Sequence, residues 1–95
     1  MTQDMDAVRR EIEDVVRRRF GSIKIDRVEI EEGFDHDGEA AFFVRVIFDA
    51  DAADLPADRL SGIKRHLRHR LESLGEHRFP YTRFTPRSEF DGAAA

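Results

Sequence analysis

Four histidines raise the first chemical question, because a neutral imidazole is the commonest metal ligand and titrates near neutrality. His66 and His69 stand three apart, a spacing that lets two side chains on one helix share an ion. His36 lies between Asp35 and Asp37, just before Gly38. Neither group closes a ligand set. The Asp35–Gly38 stretch lacks the further oxygens of a calcium loop, and an Asp/Gly cluster between apolar runs is first of all a turn. No cysteine occurs among the 95 residues, so disulfides, thiolate catalysis, Cys-based zinc sites and iron–sulfur clusters are excluded. The expectation is surface histidines, no metal site and no cofactor.

Signals for catalysis are weaker still. The chain has no Gly-rich phosphate loop, no Gly-x-Ser-x-Gly elbow and no His-Glu-x-x-His. Ser22, Ser61, Ser73 and Ser88 sit in no signature that pairs a serine with a histidine. The adjacent carboxylates Glu31 and Glu32 fall at a strand end, where solvent is the plainer environment. A non-enzymatic protein with no catalytic residues is expected.

Charge is sorted along the chain. Residues 1–25 carry six bases and five acids, residues 26–58 two bases and eleven acids, and residues 59–95 eight bases and four acids. The net charge is −4, with an acidic centre followed by a basic helix. Lys64, Arg65 and Arg68 on that helix could lie along a phosphate backbone. Against this stand the acidic total and the absence of aromatic side chains interleaved with these bases. No apolar run approaches the roughly 20 residues of a membrane span. The acidic start, with Asp4 and Asp6, is unlike a secretory leader. A cytoplasmic protein without membrane contact is expected.

These residues need elements to position them. Met5, Val8, Ile12, Val15, Val16 and Phe20 recur at helical spacing and predict a helix over 4–20, opposed by a charged face with acids leading and Arg17–Arg19 closing. Ile23, Ile25, Val28 and Ile30 predict a strand over 23–32. Two of them have one parity and two the other, so a bulge is expected near Asp26 and Arg27. Residues 40–49 form the strongest strand pattern. Phe42, Val44, Val46 and Phe48 share one face; Phe43, Arg45 and Ile47 share the other. A strand apolar on both faces is central in its sheet. Leu60, Ile63, Leu67, Leu71 and Leu74 predict a second helix to about residue 74, begun near Pro56 and ended at Gly75. Phe79, Tyr81 and Phe84 mark a last strand over 78–85, placed at an edge because Pro80 cannot donate to a ladder.

The order is therefore α-β-β-α-β, an α+β two-layer sandwich. A hairpin joins strands 1 and 2, and a right-handed crossover makes strand 3 parallel to strand 2. The sheet order is 1-2-3, with both helices on one face. Residues 1–90 make one domain and residues 91–95 a flexible tail. Nothing is left to cover the second face, where Phe43, Arg45 and Ile47 lie, so these three are the expected interface for a second copy or a small protein partner.

The topology is similar to KH-type RNA-binding domains, although their Gly-x-x-Gly clamp is missing here. It is also similar to the cytosolic dimerisation domain of cation-efflux transporters. A further resemblance is carried by Ile63–Arg68, Leu74-Gly75-Glu76, Phe79-Pro80, Phe84 and Arg87-Ser88-Glu89. This pattern, over roughly residues 55–90, resembles short bacterial proteins that accompany a helical HEPN-type partner, as in toxin–antitoxin pairs. That resemblance implies an antitoxin-like, non-catalytic partner subunit and assigns no residue roles. The alternative reading is a KH-like nucleic-acid binder using Lys64, Arg65 and Arg68.

Overall fold

The computed structural model describes residues 5–51 and 54–89. Five elements follow one another: α1 (Met5–Arg19), β1 (Ile25–Phe34), β2 (Ala40–Phe48), α2 (Ala57–Ser73) and β3 (Phe79–Pro86). The sheet order is β1-β2-β3, with β1 antiparallel and β3 parallel to β2. A short helical turn begins at Arg87. The expected tail, 91–95, lies outside the described residues.

One layer of core explains the architecture. Val8, Ile12, Val15, Val16 and Phe20 of the first helical stripe pack with Ile63, Leu67 and Leu71 of α2 onto Phe42, Val44, Val46 and Phe48. These four β2 residues alternate along the strand, so both helices cover a single sheet face. Phe20, Phe42 and Phe48 are fully buried. Each such side chain contributes about 1.5–3 kcal/mol by leaving water.

Local chemistry sets the boundaries. The strand register slips between Ile25 and Arg27, which is the expected bulge, and it lets Ile25 and Val28 both face the helices. The strand itself starts at Ile25 and runs on to Phe34, because the hairpin loop is only Asp35–Glu39. Gly38 closes that loop at φ +82°, a left-handed turn position open to glycine. Gly75 ends α2 at φ +79°: its N–H donates to the Glu72 carbonyl and the Glu76 N–H to the Leu71 carbonyl, a Schellman ending. Gly62 marks a close approach, since the Arg19 guanidinium lies where its side chain would be. Arg19 there donates to the carbonyls of Arg59 at 2.6 Å and Asp58 at 3.2 Å, tying the end of α1 to the start of α2.

Candidate functional site

The sheet face turned away from the helices is the candidate site. Register places its side chains in rows across three strands. One row is Glu31, Phe43 and Tyr81; the next is Glu29, Arg45 and Arg83. A concavity of about 760 Å³ runs over these rows and is bordered by Arg9 and Arg27.

Phe43 remains 39% exposed, yet its ring is held in place. It stacks on Tyr81 with ring centroids 5.7 Å apart and lies over Gly33, where a Cβ would come within 2.9 Å of it. Tyr81 is fixed in turn: its hydroxyl donates to Asp35 Oδ2 at 3.0 Å. Asp35 Oδ1 also accepts the backbone N–H groups of Asp37 and Glu39. The Glu39 N–H is the main cause that holds the Asp35 carboxyl below its ordinary range, with the Tyr81 hydroxyl adding to it. The Asp35–Asp37 motif is thus a turn that anchors the aromatic row.

In the two central rows of this face charge is split by strand: Glu29 and Glu31 stand on β1, and Arg45 and Arg83 on β2 and β3, while Arg27 adds a base at the end of β1. Arg45 and Arg83 are direct register partners, two like charges side by side on neighbouring strands. Among the described residues, neither has an ion pair or a hydrogen bond, and Glu31 has none either. Glu29 makes one long contact, 3.6 Å to Arg27.

Of the expected interface residues, Phe43 and Arg45 are exposed where the pattern placed them. Ile47 is on the same face but fully buried, contrary to its expected exposure. Its register partners are Arg27 and Thr85, and beyond them Asp26 and Arg87 form a 3.9 Å ion pair joining the two edge strands. The chain covers this end of the face itself. Glu29, Tyr81 and Arg83 complete the face, and sequence reasoning did not single them out as site residues. Parallel pairing of β3 in this register could have found them, since it brings residues 79–86 against 41–48.

The other candidates disperse. Glu31 and Glu32 point to opposite faces, and Glu32 pairs with Arg78 at 2.6 Å on the helix side. His36 is exposed beside Asp37. His66 and His69 border a groove of about 370 Å³ between the helices with Arg18, Arg19 and Arg70. Desolvation, then the charges of Arg19, Arg65 and His69, hold the His66 imidazole below its ordinary pKa. No three metal-ligating side chains converge among the described residues. Lys64, Arg65 and Arg68 are exposed on α2. Arg68 reaches Glu72 at 4.0 Å and sits 5.5 Å from the Phe79 ring centroid. No described helix is long and apolar enough to cross a membrane. No protein-family model, curated protein or solved structure matches this chain.

Proposed function

We propose that this protein is a non-enzymatic, cytoplasmic protein–protein interaction module that docks a partner on its open sheet face. The supporting observation is the Arg45–Arg83 pair. Like charges side by side on adjacent strands destabilise a fold, and Glu29, the carboxylate in the same row, makes its ion pair with Arg27 rather than with Arg45. Such a pair is kept for something that arrives from outside the chain. The ring of Phe43 beside it is exposed and already oriented, which suits an interface anchor. In keeping with the resemblance carried by residues 55–90, the partner is either a second copy or a co-encoded protein for which this chain acts as an antitoxin-like subunit.

The nucleic-acid reading through Lys64, Arg65 and Arg68 is less favoured, because Arg68 is engaged by Glu72 and the Phe79 ring. Sedimentation velocity tests the module directly. The chain is run alone and mixed with the protein encoded beside it. Association in either sample, abolished by Phe43→Glu with Arg45→Glu, is expected. The reading is refuted if the chain sediments only as the free 11.0 kDa species in both samples.

A further inference from the structure

Given that reading of the open face, its charge pattern indicates what docks there. We propose that the occupant is a second copy of this chain, laid sheet on sheet about a two-fold axis running along β2. A two-fold interface brings one patch against itself. A patch of one sign therefore repels its copy. A patch split into acidic and basic halves attracts its copy, provided the rotation exchanges the halves.

The two central rows meet that condition. Glu29 and Glu31 form the β1 side, and Arg45 and Arg83 form the β2 and β3 sides. An axis along the strands lays β1 of one copy over β3 of the other, so within each row Glu29 faces Arg83 and Glu31 faces Tyr81. An axis across the strands would set each strand on its own equivalent and put Glu29 and Glu31 against the same acids. Orientation thus follows from charge. Phe43 lies near the axis and meets its counterpart there. Its ring is already fixed by Gly33 and Tyr81, so little side-chain freedom is lost on docking. Arg45 also lies near the axis and meets its own counterpart, so its long stem must swing aside toward Glu29 of the other copy.

Size sets the strength. Three strands about 4.8 Å apart and about eight residues long at ~3.4 Å each make a face of roughly 14 by 27 Å. That is small beside the ~800 Å² per partner of a standard interface, so the dimer is reversible. A single-stranded nucleic acid stacking on Phe43 and Tyr81 is disfavoured, because Glu29, Glu31, Asp35, Asp37 and Glu39 adjoin the rings and repel phosphate.

Sedimentation equilibrium at tens to hundreds of micromolar, in low and high salt, carries the test. Two variants are made: Glu29→Arg with Glu31→Arg, whose central rows become all basic, and Arg45→Glu with Arg83→Glu, whose central rows become all acidic. Circular dichroism checks that each folds; if a double variant does not, Glu31→Arg and Arg83→Glu replace them singly. The wild type is expected to dimerise, more weakly as salt rises. Each variant alone is expected to be monomeric, and an equimolar mixture to recover the dimer. A wild type monomeric at the highest concentration overturns the second copy, while the docking reading stands if the co-encoded protein binds and Phe43→Glu releases it. A dimer indifferent to both variants uses another surface and overturns both statements. Nucleic acid that co-purifies with the wild type and is lost from the Arg45→Glu, Arg83→Glu variant overturns the proposal in favour of a base-stacking face.

Discussion

Glu76 is the buried charged residue of the described chain, and replacing it should reveal how the C-terminal end of α2 is locked to the sheet. Its side chain is 7% exposed. Oε2 accepts the Arg78 backbone N–H at 3.0 Å and Nε–H at 2.9 Å, while Oε1 accepts Nη2–H at 2.9 Å. The Arg78 guanidinium lies 4.1 Å from the Phe42 ring centroid and also donates to Glu32 at 2.6 Å. Glu76→Gln keeps the shape but removes the charge, and turns one acceptor into an amide that cannot accept from Arg78. Charge-assisted bonds contribute about 1.5–3 kcal/mol, and Glu32 still neutralises part of the guanidinium, so the loss is set at about 2 kcal/mol. In a domain of this size that lowers Tm by roughly 8–16 °C. Arg78→Ala should cost more, about 3–5 kcal/mol, because it leaves the Glu76 carboxylate buried without its partner. Glu32→Gln, at the half-exposed end, should cost under about 1 kcal/mol. The pH dependence has a definite sign. Bonding to Arg78, above all, holds the Glu76 carboxyl below its ordinary 4.5. The unfolded chain therefore binds that proton more readily, and the stabilisation is complete above 4.5 and disappears as pH falls through the lowered value. Circular dichroism melts between neutral and acid pH should show wild-type Tm falling more steeply than that of Glu76→Gln. A Glu76→Gln protein melting within about 2 °C of wild type at neutral pH would refute the reasoning.

Three further outcomes are expected. Gly62→Ala displaces Arg19 from the carbonyls of Asp58 and Arg59. The helix gains about 1 kcal/mol of propensity and loses a similar amount in hydrogen bonds, so Tm hardly moves. With Arg19 gone, the His66 pKa rises part-way toward its ordinary value, as read by NMR titration; an unchanged value means that Arg19 does not set it. Tyr81→Phe removes one donor from Asp35, whose carboxyl pKa should rise while the hairpin keeps its turn; an unshifted Asp35 resonance in an NMR pH titration contradicts the Tyr81 contact. Calorimetric titration with zinc should show nothing tighter than about micromolar, because His66 and His69 lack a third ligand; a tighter stoichiometric site that disappears in the His66→Ala, His69→Ala double variant would show that a ligand set does close.

Period and parity were enough to read most of the fold. The 3.6-residue stripe of α1, the two-sided pattern of β2 and Pro80 of β3 fix order, layers and the central strand. The parity break between Ile25 and Val28 even located the bulge. Ile47 shows where this reasoning stops. Parity assigns its face correctly, but whether that face is wet there depends on how the two edge strands flank it, and that is settled only after β3 docks. The Arg45–Arg83 juxtaposition was hidden for the same reason, since it needs the β2–β3 register. The Glu76–Arg78 lock has a local signal, an acid and a base two apart beyond a Gly C-cap. Nothing in that signal says that the glutamate is buried, because burial comes from the packing of α2 against the sheet.

The open face carries two kinds of residue, and they call for different explanations. Phe43 has a role within the fold: it covers Gly33 and stacks on Tyr81, so partial burial accounts for an aromatic side chain there without any partner. Ile47 is likewise accounted for by its own chain. An argument for docking from apolar exposure alone would therefore be weak. The charges are different. Arg45 could have been paired across the ladder with Glu29, its register partner on β1, but Glu29 turns instead to Arg27. Arg83 could have been any polar residue on an edge strand. Leaving both arginines side by side gives up stability within the monomer. Such an arrangement makes physical sense when the compensating carboxylates belong to another molecule, and a two-fold axis along β2 sets Glu29 of a second copy opposite Arg83.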